Sequence, residues 1–147
     1  LHHVKPHGAL YLMLSKDEEL GEAFCKAIID TSENPTIYYP APTEQHAVIQ
    51  AAKRAGIKIV GELYFDLGYA DDGSLIVKRA NEGADLEDTL KRLEYFLSNN
   101  EVIAESGAKV KLEATSICLH GDGPNAVDLA KTIGDGLRSN GYELAPL

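Results

Sequence analysis

Cysteine is scarce in this chain. Cys25 and Cys118 are its two cysteines, and neither belongs to a CxxC pair, which argues against a zinc knuckle or a local redox motif and fits a reducing compartment. Basic residues are also outnumbered: Lys and Arg total 14 against 23 Asp and Glu, for a net charge of −9. That balance repels nucleic-acid phosphates and anionic lipid headgroups. The positive residues are scattered, and Lys53-Arg54 and Lys91-Arg92 read as solvated helix faces. Neither nucleic acid nor membrane is therefore expected as a partner. No apolar run is long enough to span a bilayer, and no charged start leads into a short apolar core. The expectation is a soluble, cytoplasmic protein. There is no GxxxxGK[ST] loop, no GxGxxG fingerprint and no nucleophile-elbow serine, so a nucleotide site would be unorthodox or supplied elsewhere.

What is present suits one globular domain over residues 1–147, with 44% hydrophobic residues and no need of staples. Leu1 to Val4 enters directly into strand-like sequence, which suggests a fragment or a chain whose earlier part is missing. Ser15 and Glu18 have capping-box spacing ahead of Leu20, Phe24, Ala27 and Ile28 at helical period. Thr36 to Tyr39 reads as a buried strand, and a second helix carries Ala47, Val48, Ala51, Ala52 and Ala55 up to a stop at Gly56. Ile57 to Val60 is the next strand. Asp71-Asp72-Gly73 then favours a hairpin before Leu75-Ile76-Val77. A third helix from Asp85 to Ser98, a polar linker around Asn99 to Ala108, a strand from Val110 to Leu119 and a last helix from Pro124 complete the chain. The last helix presents Ala126, Val127, Ala130, Ile133 and Leu137. This alternation implies an α/β fold with a parallel sheet covered by helices, open or closed into a barrel.

In such folds ligands gather at the carboxyl ends of the strands. Three of those junctions carry ionisable groups: Lys5-Pro6-His7-Gly8, Gly61-Glu62 with Asp66 nearby, and His120-Gly121-Asp122-Gly123-Pro124. Strand alternation puts His3, Lys5 and His7 on one face, and Ser116, Cys118, His120 and Asp122 on another shared face. A lysine or carboxylate inside a pocket must be paired or used. Histidine moves protons near neutral pH, a carboxylate orients it, and lysine polarises a carbonyl or holds an anion, a set that suits amide hydrolysis. His7, His120 and Asp122 are equally a candidate divalent-metal set. Each has a plainer structural reading as well: hydrogen-bonded histidines, Asp122 as a helix cap, and Gly8 and Gly121 as turn formers. Arg79 reads more readily as a solvated arginine, and Cys118 as a small core residue.

Val4-Lys5-Pro6-His7-Gly8-Ala9-Leu10-Tyr11 and Cys118 to Val127, CLHGDGPNAV, resemble two motifs of the LamB/YcsF family. Glu62 to Tyr69 and Gly73 to Arg79 are similar to the segment between those motifs. The family's Asp-Arg stands here as Asp66-Leu67, so the role of that arginine is lost or taken over by another residue. The family's amino-terminal motifs are absent.

The resemblance implies a parallel β/α barrel of the glycoside hydrolase/deacetylase type, seven-stranded in the family and here incomplete. It also implies ATP-dependent hydrolysis of 5-oxoproline to glutamate as the A component of 5-oxoprolinase, with separate B and C components, ATP as co-substrate with Mg, and a divalent metal as a further option. On that basis Lys5 binds a carbonyl or anion, His7 and His120 transfer protons or bind metal, and Glu62 and Asp122 orient them. Gly8, Asp66, Arg79 and Gly121 become candidate substrate-binding residues. Two alternatives stay open: a metal-dependent amidohydrolase acting on carbohydrate N-acetyl groups, within carbohydrate metabolism, and a non-catalytic binding or assembly module. Edge strands left bare by missing sequence would also favour a homo-oligomer.

Overall fold

The computed structural model describes residues 1–41, 44–77 and 83–146. In chain order the elements are α1 (Ala9–Leu14), α2 (Glu18–Thr31), β1 (Thr36–Pro40), α3 (Ala47–Arg54), β2 (Lys58–Tyr64), β3 (Gly68–Tyr69), β4 (Leu75–Ile76), α4 (Leu86–Asn99), β5 (Glu101–Ile103), β6 (Lys109–Lys111), β7 (Ser116–Cys118) and α5 (Ala126–Ser139). They fall into two compact units, residues 1–62 with 113–116, and residues 63–112 with 117–147.

In the first unit β1 and β2 pair in parallel, from Thr36 opposite Lys58 to Pro40 opposite Glu62. Val4 extends the ladder on the other edge of β1 by a single bridge to Ile37. It donates to the Thr36 carbonyl and accepts from the Tyr38 N–H, both at 2.9 Å. The first predicted strand is thus one clasped residue, because Pro6 has no N–H with which to continue a ladder. The sheet order is β1-β2-β7, and the Thr115 N–H reaches the Gly61 carbonyl at 3.2 Å. The parallel α/β expectation holds for β1 and β2. Among the described residues the strands form this sheet and two separate two-stranded pairs, and a closed barrel is not among them.

The predicted capping box is replaced by a better-placed acid. Asp17 caps α2, its carboxylate accepting from the Leu20 N–H at 3.0 Å, while Ser15 donates to the Leu12 carbonyl at the end of α1. The short helix α1 is an addition to the predicted elements; Gly8 starts it with φ 54°, a conformation that suits glycine. Helices α2 and α3 pack against each other with Gly21 at the crossing, where an added Cβ would lie 3.2 Å from the Val48 Cα and backbone nitrogen. Arg54 ties the outer rim of this crossing to Glu18 and Glu22 on the surface. Cys25, buried on the inner side of α2, is a free thiol. Burial pushes its pKa up, an effect opposed by Arg54 and reinforced by Glu22.

The second unit begins as β2 leaves Glu62. β3 and β4 form the expected hairpin, with Gly73 at φ 82° after the Asp71-Asp72 turn. The predicted strand Val110–Leu119 is two elements: β6 pairs antiparallel with β5, and β7 is separate. β5 occupies the stretch expected to be a polar linker, because the left-handed Asn100 closes α4 and turns the chain back against β6. β7 is half-buried throughout, so its predicted division into an apolar and a reactive surface is blurred. Asp85 caps α4, accepting from the N–H groups of Glu87 and Asp88.

The last helix, α5, starts at Ala126 rather than Pro124. Its inner face is Leu129, Ile133 and Gly136, whereas Val127 is 83% exposed. Gly136 meets α4 so closely that a Cβ there would lie 2.9 Å from side-chain carbons of Leu90 and Leu93.

The packing of the first unit makes two outcomes for stability testable. Gly21→Ala drives a methyl into the backbone of α3, which side-chain rotation cannot relieve, so a loss of about 1–3 kcal/mol is expected on chemical denaturation. An unchanged midpoint would mean that the helices separate freely. Tyr39 is fully buried, and its hydroxyl has no hydrogen-bond partner among the described residues. Burial, and secondarily Tyr11, push its pKa up. The folded state therefore holds this proton where the unfolded phenol loses it, so the associated stability is intact below the unfolded pKa, about 10, and falls as pH rises past it. Tyr39→Phe is expected to gain about 1 kcal/mol at neutral pH and to resist alkaline unfolding better. A variant that melts at the same alkaline pH as the parent would contradict this.

Candidate functional site

Glu62 lies near the end of β2, whose residues Val60 to Tyr64 are all buried. A carboxylate in that setting demands a counter-charge. Lys5 supplies it, with Nζ 2.6 Å from Oε2 and side-chain exposures of 17% for Lys5 and 5% for Glu62. Strand parity explains the meeting. Val4 stands opposite Ile37, and Pro40 opposite Glu62, so Lys5, Tyr38, Pro40 and Glu62 share one face while Val4, Ile37 and Tyr39 share the other. His3 stacks on Tyr38 with ring centroids 4.0 Å apart. On the Tyr39 face the rings of Tyr11 and His46 lie 5.2 and 5.8 Å from the Tyr39 ring.

The second unit holds a different pair. Asp66 follows the end of β2, and its Oδ2 lies 2.6 Å from His120 Nδ1. The same oxygen lies 3.4 Å from the His120 backbone nitrogen. An ionised carboxylate only accepts, so Nδ1 is the nitrogen that carries a proton here, and in the neutral ring Nε2 is the one that holds the lone pair. Asp66 is 12% exposed and His120 44%, which leaves the imidazole open to solvent and the carboxylate sheltered. The Tyr64 ring lies 5.8 Å from the His120 ring. Asp66 Oδ1 is buried with no hydrogen-bond partner among the described residues, an acceptor that an incoming donor would satisfy.

The loop carrying Asp66 is held by its neighbours' backbone. The Tyr64 N–H donates to the buried Tyr69 hydroxyl at 2.8 Å. Arg92 of α4 donates to the Phe65 carbonyl at 2.8 Å and to the Leu67 carbonyl at 2.7 Å. The expectation of a solvated Arg92 is corrected here: the residue is half-buried, and only its neighbour Lys91 forms the surface pair, with Glu87. Nothing in the local sequence distinguishes the two, because the acceptors lie 27 and 25 residues away. Asn125 is a further residue that its local sequence does not single out. Its side-chain amide exchanges hydrogen bonds with the N–H and carbonyl of Ala84 at 3.0 and 2.7 Å.

Of the residues singled out from the sequence, Lys5 with Glu62 and Asp66 with His120 are thus brought together as pairs. His7, Gly8, Gly121 and Asp122 are exposed. Asp122 does not cap α5; the capping position is Asn125. Arg79 lies outside the described residues. Cys118 is half-buried rather than a core residue. Among the described residues no group of three or more His, Cys, Asp and Glu side chains is placed to hold a metal ion. No described helix is long and apolar enough to cross a membrane.

The model of the LamB/YcsF family matches residues 1–147. The chain is 38% identical to the A component of 5-oxoprolinase from Clostridium beijerinckii over 150 aligned positions, covering 100% of this chain and 57% of that protein. It is 37% identical to the A component of 5-oxoprolinase from Shouchella clausii, over 96% of this chain and 55% of that one. The crystal structure of the lactam utilization protein from Thermus thermophilus superimposes with a TM-score of 0.85 at 28% identity, over 100% of this chain and 58% of that protein. The chain thus spans little more than half the length of the relatives it matches.

The Lys5–Glu62 pair yields a prediction of its own. Lys5→Met leaves a buried carboxylate without its ammonium, and a loss of about 2–3 kcal/mol is expected, below the range for a fully buried pair because Lys5 keeps some contact with water. Lys5→Met combined with Glu62→Leu should recover most of that loss. Chemical denaturation of the three proteins checks the order, and a double variant no more stable than the single one would count against charge burial as the cause.

Proposed function

The chain belongs to the LamB/YcsF family, and we propose that it supplies the proton-transfer centre of an ATP-dependent opening of 5-oxoproline to glutamate, working with B and C components. The observation that carries this reading is the 2.6 Å contact between Asp66 and His120. A lactam is an unstrained amide, so its cleavage needs a nucleophile freed of its proton and a ring nitrogen that receives one. With Nδ1–H directed at Asp66, His120 Nε2 is the general base that takes a proton from water attacking the lactam carbonyl. The same imidazole then returns the proton to the departing ring nitrogen. Ring opening consumes the lactam and one water to give the open amino acid, and the coupled hydrolysis of ATP consumes a second water to give ADP and phosphate. Asp66 stays ionised and stabilises the imidazolium between the two transfers.

Within the first unit, Lys5 steadied by Glu62 is by itself a cation of the kind that holds a carbonyl or carboxylate. Parallel pairing of β1 with β2, each preceded by a helix, supports reading these strands as a sector of a β/α barrel. The relatives from Clostridium and Shouchella are A components of 5-oxoprolinase by name, which supports the lactam as substrate and partner components as part of the assembly. The phosphate-binding loop absent from this sequence is then the task of other parts of that assembly.

The test is glutamate release from 5-oxoproline by the protein combined with its B and C components. His120→Ala is expected to lower turnover by about 10²–10⁴-fold, as for loss of a general base, and Asp66→Asn by a smaller factor. Turnover of His120→Ala within about twofold of the parent would sink the assignment, since loss of a general base costs far more than that.

A further inference from the structure

We infer that Arg92 is a positioning residue for the Asp66–His120 pair, a role that rests on the proton-transfer reading of that pair. Its guanidinium donates to the carbonyls of Phe65 and Leu67, the residues on either side of Asp66. Both carbonyls belong to the irregular segment beyond β2, where the strand's hydrogen bonding has ended. A loop carbonyl drawn toward the interior must find a donor. One planar fork serving two carbonyls that bracket a single residue fixes the backbone of that residue in both position and rotation. The Tyr69 hydroxyl adds a restraint just upstream, through the Tyr64 N–H. The carboxylate of Asp66 is therefore presented to His120 by backbone restraints on three nearby residues, Tyr64, Phe65 and Leu67.

The consequence is specific. If Arg92 only stabilised the fold, its loss would lower the melting point and leave the imidazole unaltered. A positioning role requires that loosening Asp66 releases the Nδ1 proton, and the neutral ring then drifts toward the Nε2–H tautomer that free histidine prefers. Nε2 would no longer serve as a base. Lysine at this position reaches one carbonyl but cannot fork to both, so it should give an intermediate state.

The experiment is ¹⁵N NMR of the His120 ring in the parent, Arg92→Met, Arg92→Lys and Asp66→Asn proteins, with circular dichroism as the check on folding. The Nδ1–H pattern is expected in the parent, a shift toward Nε2–H in Arg92→Met, a mixture in Arg92→Lys, and full loss of the Nδ1–H preference in Asp66→Asn. Turnover with the B and C components should fall in step, by about tenfold in Arg92→Met, carried by kcat more than by KM. If Arg92→Met does not fold, the mixture in Arg92→Lys decides. A folded Arg92→Met, or failing that Arg92→Lys, that keeps the parent tautomer overturns the positioning role. An unmoved tautomer in Asp66→Asn overturns the pair itself and the positioning role with it. A tautomer that shifts as expected while lactam opening is indifferent to every variant keeps the positioning of the pair and rejects only the lactam reaction.

Discussion

The hydrogen-bond ladder running from Val4 through β1 to β2 is the constraint on which the first unit depends. Register, once set at Ile37 and Pro40, decides which side chains share a face, because a slip of one residue would exchange the two sets. In the observed register the apolar set Val4, Ile37 and Tyr39 lies on one side and Lys5 and Glu62 meet on the other. The ladder thus carries out two tasks at once, since the same pairing that buries the core closes the ion pair. A buried pair is weak evidence for stability. Its value here is specificity of register: any shift that separated Lys5 from Glu62 would leave a charge inside an apolar strand.

The second unit solves a different problem. Asp66 and His120 are 54 residues apart in sequence, and no local rule brings them together. Their contact depends on a loop made rigid by side chains from elsewhere, the Tyr69 hydroxyl and the Arg92 guanidinium. The residue next to the aspartate is a leucine, Leu67. Arg92 donates to the carbonyl of that leucine, so a guanidinium is present beside Asp66 although it arrives from α4 and not from the adjacent position.

Helix faces and the hairpin are legible in the sequence because they depend on near neighbours. Leu93 on α4, Ile133 on α5 and Gly73 after two aspartates each announce themselves within a few positions. The pairing of Lys5 with Glu62 is half legible: parity gives the polar faces, and burial of Glu62 makes a partner obligatory, but the identity of that partner needs the fold. Arg92 escapes a local reading because solvated and buried arginines share the same pattern, and its acceptors are backbone atoms, which carry no residue signature. Pro6 explains why the first strand reduces to Val4, and that signal is present in the sequence. The Val110–Leu119 stretch divides differently from its pattern for a related reason: a strand-like run does not reveal which neighbour it pairs with, and β6 turns back to β5.

Exposure differs within the Asp66–His120 pair in the sense that the proposed proton transfer requires. A group that exchanges protons with a substrate or water must be reached by it, and His120 retains 44% of its side-chain surface. A group that orients another is more effective when sheltered, where its charge is less screened, and Asp66 retains 12%. Reversing the two exposures would give a sheltered histidine that no substrate could reach and a carboxylate weakened by water. The buried Oδ1 of Asp66 adds a further asymmetry, because one oxygen is committed to His120 while the other has no protein donor among the described residues. A carboxylate satisfied at both oxygens would be a structural anchor. One satisfied at a single oxygen, on a backbone clamped at either side, keeps capacity for a donor that the described protein does not itself provide.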